Sequence, residues 1–220
     1  MYADARRERG IRRSYATRST ERGQLDDIQR IIAFIVEVDS LKAVLRNTKP
    51  VGFERYENSA EHSWQVCLLA LLLADRASQP VDIQRVVEIL LVHDIPEIDA
   101  GDQIVYQTHD SVRADAETQA AGRIFGLLPQ PQAQMCMDRW TEYEARESRE
   151  AVFAYAVDRM MPLVHNLGND GQSWREHRIA QDRVVAVNAA IGDALPSVWE
   201  HLRAAIGEKA DAGIFDFESE

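Results

Sequence analysis

Apolar positions recur along the chain at spacings of three and four, with no strong strand pattern and no internal repeat. Ile28, Ile31, Ile32, Ile35, Val36 and residues 38–41 form the first stripe and predict a helix over about 24–45. Pro50 and Gly52 then mark a loop over 46–58. Asn58 or Ser59 stands where an N-cap is needed for a second helix, whose inward stripe is Val66, Leu69, Ala70 and Leu73. Gln79-Pro80 closes it, and Asp82 caps a third helix over about 83–93. Pro96 and Gly101 predict an acidic turn over 95–103. Further helices are expected at about 112–125, 131–146, 149–165, 174–191 and 195–205. The fold class is therefore all-α, a compact single-domain helical bundle with short connections.

Composition narrows the function classes. The chain has 220 residues, ordinary apolar content and a net charge of −11, which argues against general nucleic-acid binding. Arg6, Arg7, Arg9, Arg12, Arg13, Arg18 and Arg22 crowd the first tenth of the chain without an apolar core of a secretory signal. Residues 1–22 thus read as a solvated arginine-rich arm, 23–207 as the domain and 208–220 as an acidic tail. Cys67 and Cys136 lack disulfide or zinc-knuckle spacing, which points to a reducing, cytoplasmic setting. The longest apolar run, 68–74, is too short to span a membrane.

Three expected helices carry polar residues on apolar faces. His62 begins the stripe of Val66 and Leu69; His93-Asp94 ends the run Ile89-Leu90-Leu91-Val92; Asp158 shares a face with Ala151, Ala154 and Tyr155. A buried unpaired carboxylate is costly, and imidazoles with carboxylates make a divalent-metal set. Neighbouring residues on a continuous helix point about 100° apart. His93 and Asp94 therefore converge most easily at a helix end, which Pro96 supplies.

These residues carry a resemblance. His62, the doublet His93-Asp94 and the distant Asp158 resemble the ordered signature of HD-domain metal-dependent phosphohydrolases. The strings Glu57-Asn58-Ser59-Ala60-Glu61-His62-Ser63, His93-Asp94-Ile95-Pro96-Glu97, Gly101-Asp102 and Asp158-Arg159 are similar to the branch containing 5′-deoxynucleotidases. The resemblance implies one divalent ion held by His62, His93, Asp94 and Asp158; the nitrogen and oxygen donors permit Mn, Co, Fe, Ni or Zn. It implies that Glu97 orients the attacking water and takes its proton, and that Asp102 transfers or positions a proton. It also implies that Arg46 grips phosphate, with Arg55 as competitor and a helix-end role as the plainer reading of Arg46. Asn47-Thr48-Lys49 departs from that branch, which carries an aromatic soon after the arginine.

The implied activity is release of phosphate from (deoxy)nucleoside 5′-monophosphates, with a small phosphorylated substrate and a homodimeric state as further implications. A dNTP, cyclic or modified nucleotide is the alternative substrate, and a non-catalytic metal-binding interaction protein is the alternative class. Trp64, Trp140 and Trp174 read as packing residues, His165 as a satisfied core histidine, and His109, His177 and His201 as peripheral. Asp99 reads as surface, and Glu142, Glu144, Glu147 and Glu150 as a solvated helix face or subunit contact.

Overall fold

The structure is a computed structural model that describes residues 26–106 and 111–217. Among these residues the architecture is helical, and the only β-type pairing is an isolated antiparallel bridge between Leu45 and Asn58. The helices are α1 (Asp27–Val38), α2 (Ser59–Leu73), α3 (Ile83–Val92), α4 (Glu97–Ala100), α5 (Ser111–Phe125), α6 (Gln132–Ala145), α7 (Arg149–Gly168), α8 (Gln172–Glu176), α9 (Gln181–Asn188), α10 (Ile191–Ala194) and α11 (Pro196–Asp211).

Local signals explain most boundaries. Asn58, not Ser59, caps α2: its side chain accepts from the Glu61 amide while Glu61 reaches back to the Asn58 amide, a reciprocal capping box. Asp82 caps α3 and Ser148 caps α7. The helices α2, α3 and α7 pack against one another and bury Val66, Ala70, Val86, Ile89, Leu90, Ala154 and Val157. A second apolar cluster joins Phe34 of α1 to Ile95, Ala121, Ile124, Phe125 and Trp140.

Several expectations change. The first helix stops at Val38, continues as a 3₁₀ turn over Asp39–Ala43, and Val44 is extended. The isoleucines of its apolar stripe, Ile28, Ile31, Ile32 and Ile35, are exposed, while Leu41 at the end of the stripe is buried. Phe34 instead packs on Phe125, and the Arg30 guanidinium bonds the carbonyls of Gly126, Leu127 and Leu128 beyond α5, fixing this orientation. The expected helix over 174–191 is broken into α8 and α9, with Arg178 at φ 51° between them.

The last helix runs past Gly207 to Asp211, Lys209 pairs with Asp170, and the Phe215 ring stacks on Trp174. Residues 208–217 are thus packed rather than tail-like, because Ile214 and Phe215 supply apolar surface to the core. The arginine-rich arm over 1–22 and His109 lie outside the described residues.

Candidate metal centre

The site forms where the first turn of α2, the end of α3, the α4 turn and the middle of α7 meet. Asn58 starts α2 so that His62 falls one turn inside, fully buried. His93 is the C-cap of α3, so the chain turns there and presents His93 and Asp94 together. Donor atoms of His62, His93 and Asp94 all lie within 4.8 Å of one another. Asp158 falls outside that tightest set, yet its Oδ1 is 2.8 Å from His62 Nε2 and 3.6 Å from His93 Nε2. The four residues picked from the sequence are therefore brought together.

The chemistry of this cluster fits a divalent cation. His93 Nδ1 lies 2.7 Å from the Leu90 carbonyl, which sets it as the protonated nitrogen. Its Nε2 is buried, has no hydrogen-bond partner, and faces Asp94 Oδ1 at 3.1 Å. An imidazole held by a carbonyl with its second nitrogen aimed at carboxylates is a ready metal ligand. The Tyr143 hydroxyl donates to Asp158 Oδ2 at 2.8 Å, leaving Oδ1 toward the histidines.

Charge supports the same fit. The Arg46 guanidinium lies 2.7 Å from Asp94, 3.5 Å from Glu57, 3.6 Å from Asp102 and 4.0 Å from Asp158. Burial opposes the charge on Arg46, but Asp94, Asp102 and Glu97 override it and hold the guanidinium protonated. Burial and Arg46 also oppose protonation of His62, while Asp158 and Glu57 raise its pKa to about 9. Asp158 is held well below the usual carboxylate range because pairing with His62 and His93 overrides its burial. A bound divalent ion would supply positive charge among these acids and take the proton's place on His62 Nε2.

Glu97 opens α4, and its Oε2 accepts from the Ser59 hydroxyl at 2.8 Å. Burial and then the neighbouring Asp94 raise its pKa well above the ordinary value, with Arg46 opposing. Gly101 ends α4 at φ 75°, ψ 161°, a backbone region open in practice to glycine. That turn brings Asp102 back, where Asn47 Nδ2 donates to it at 2.9 Å, and burial raises its pKa.

Arg46 does not end a helix, so the dipole role assigned to a helix-end arginine does not apply. It sits in the extended pairing with residues 57 and 58 and points inward. Arg55 is half exposed and paired with Glu61 on the surface, away from the cluster.

A cavity of about 300 Å³ opens beside the cluster, lined by Arg46, His93, Asp94, Glu97, Asp102 and Asp158. Its outer wall carries Trp140, Tyr143 and Tyr155 with Arg113, Arg146 and Arg159. Trp174 is a packing residue, Trp140 packs and also lines this cavity, but Trp64 is exposed. Asp99 lies at the surface paired with Arg123, and His177 and His201 are peripheral. Glu150 is buried rather than solvated and accepts from the Asp82 amide; Glu142 pairs with Arg85 and Arg139, while Glu144 and Glu147 are exposed. Glu57, Tyr143 and Asn47 were missed as site residues. Only the position of Glu57 at the head of the capped string hinted at its place.

The chain resembles known proteins in family and fold. The HD-domain family model matches residues 38–199. The crystal structure of a predicted metal-dependent phosphohydrolase from Magnetospirillum magnetotacticum MS-1 superposes with a TM-score of 0.81 at 40% identity, covering 86% of this chain and 95% of that one. A conserved hypothetical protein from Pyrococcus furiosus shares the fold, with a TM-score of 0.52 at 21% identity over 82% of this chain and 99% of that one. No curated protein matches the chain.

Proposed function

The chain belongs to the HD-domain family, and on that premise we propose that it is a metal-dependent phosphohydrolase releasing phosphate from (deoxy)nucleoside 5′-monophosphates. The observation that carries this reading is the convergence of Arg46, Glu97 and Asp102 on the His62, His93, Asp94 and Asp158 cluster at the floor of one cavity. A purely structural metal would need neither the partly buried Glu97 nor an arginine beside it. The relative from Magnetospirillum, described as a predicted metal-dependent phosphohydrolase, supports the reaction class.

His62, His93, Asp94 and Asp158 would hold the ion. Such an ion supplies positive charge toward phosphoryl oxygens and makes water more acidic. Arg46 would bind two phosphate oxygens through its planar guanidinium and offset equatorial charge as the P–O bond breaks. Glu97, fixed by Ser59 on one oxygen, keeps the other for the attacking water and accepts its proton; its raised proton affinity suits that task. Asp102, steadied by Asn47, donates a proton to the departing 5′ oxygen.

A second reading keeps the site and changes the substrate. Arg146 and Arg159 both lie over the Tyr155 ring, 4.6 and 4.7 Å from its centre, on the cavity wall. They favour a substrate with an additional anionic group, such as a dNTP or a cyclic or modified nucleotide. The small cavity favours the monophosphate.

We also propose a homodimer, supported by the exposed apolar residues Trp64, Leu68, Leu71 and Leu72 of α2 and the outward isoleucines of α1. The free, buried Cys67 and Cys136 support a reducing cytoplasmic setting. Among the described residues no helix is long and apolar enough to cross a membrane.

The test is metal analysis of protein purified without chelator, followed by phosphate release from deoxy- and ribonucleoside mono- and triphosphates with Mn, Co, Ni and Zn. Fastest release from monophosphates is expected. A bound ion with no hydrolysis of any substrate would favour the non-catalytic alternative.

A further inference from the structure

Glu57 is fully buried, and neither carboxylate oxygen has a hydrogen-bond partner. A carboxylate in that position is normally bonded on both oxygens, so its surroundings point to a task. Its Oε2 lies 3.2 Å from His62 Nδ1, out of line for a hydrogen bond, and Nδ1 is itself buried without a partner. The same oxygen is 3.5 Å from Arg46 Nε and 3.8 Å from His165 Nδ1.

The backbone prevents Glu57 from withdrawing. Its amide donates to the Thr48 carbonyl at 2.9 Å, and its carbonyl accepts from the Arg46 amide at 2.8 Å. The adjoining Leu45–Asn58 bridge joins this pairing to the cap of α2. One short segment therefore places Glu57 against both His62 and Arg46.

We propose that Glu57 is a positioning residue for both arms of the site. Its carboxylate accepts a hydrogen bond from His62 Nδ1–H, leaving Nε2 for the ion, and steadies the Arg46 guanidinium through Nε. The proposal rests on the reading of His62 as a metal ligand. It differs from the arrangement at His93, where a neutral carbonyl performs the orienting role. A carboxylate orients its histidine and also makes the ring a stronger ligand. His165, expected to be a satisfied core histidine, is buried with its Nδ1 3.4 Å from Thr48 Oγ1 and 3.8 Å from Glu57 Oε2.

The experiment compares wild type with Glu57→Gln, which keeps the size of the side chain and removes its charge. Zn²⁺ and Co²⁺ affinities are measured by competition with a chromophoric chelator, and melting of the metal-free proteins is followed alongside. Affinity about 10- to 100-fold weaker is expected for the variant, with metal-free melting little changed. Unchanged affinity in folded Glu57→Gln overturns the proposal.

Should the variant fail to fold, ¹⁵N-histidine NMR of Zn²⁺-loaded wild type decides: His62 protonated on Nδ1 supports the proposal, and protonation on Nε2 overturns it. Wild type that binds no divalent ion overturns both this proposal and the functional reading. Ion binding without phosphate release overturns only the hydrolase reading, because affinity and tautomer are read without substrate.

Discussion

Two regions hold side chains that violate the usual partition between core and surface. Inside, Arg46, Glu57, His62, His93, Asp94 and Asp158 are charged or polar and largely buried. Outside, Ile28, Ile31, Ile32 and Ile35 of α1 and Trp64, Leu68, Leu71 and Leu72 of α2 are apolar and exposed. Both arrangements are costly, but they differ in kind. The buried groups face one another across distances that a single cation would bridge, so each is positioned by the others. Among the described residues, the exposed groups share no opposing surface. Interlocked violations support the proposed chemistry; uncovered ones support the proposed assembly.

The sharpest attack on this contrast removes Glu97. Glu97→Gln is expected to lower phosphate release about 10²- to 10⁴-fold, with metal content retained; full activity in a steady-state assay would break the inner half of the comparison. Stripping metal with chelator should abolish activity, and adding Mn, Co, Ni or Zn back should restore it.

Packing effects come next. Leu90→Ala, in the fully buried seam of α2, α3 and α7, should cost about 2–5 kcal/mol in denaturant unfolding. Gly101→Ala has open space around its added methyl but a backbone that disfavours it, and should cost about 1–3 kcal/mol. Because Asp102 follows directly, activity should fall as well.

The smallest intramolecular effect belongs to the outer faces. Ile31→Ser and Leu71→Ser should change the stability of the dilute protein by only about 0.5 kcal/mol. Light scattering should nevertheless show a shift from dimer to monomer. A substitution there that unfolds the monomer would show that the face is part of the core, and would erase the distinction.

The contrast also explains what could be read in advance. The inner site was legible because metal ligation demands particular residue types, and His62, His93, Asp94 and Asp158 are conspicuous on apolar stripes. Glu97 and Asp102 followed from the family signature. Tyr143 and Asn47 were not legible, since a hydroxyl or amide gains a role only from the carboxylate that another element brings within reach. The first helix failed for a related reason. Periodicity identifies an apolar face, but Phe34 and Arg30 chose which face of α1 meets α5.

By itself the sequence determined the helical class, most helix starts and the residue types that meet in the candidate site, because caps, breakers and side-chain chemistry are local properties. Tertiary structure alone decided that residues 208–217 pack against the core and that Glu57 faces His62 and Arg46. Those outcomes depend on which surfaces meet across long sequence separations, where burial converts an ordinary charge into one that must find a partner.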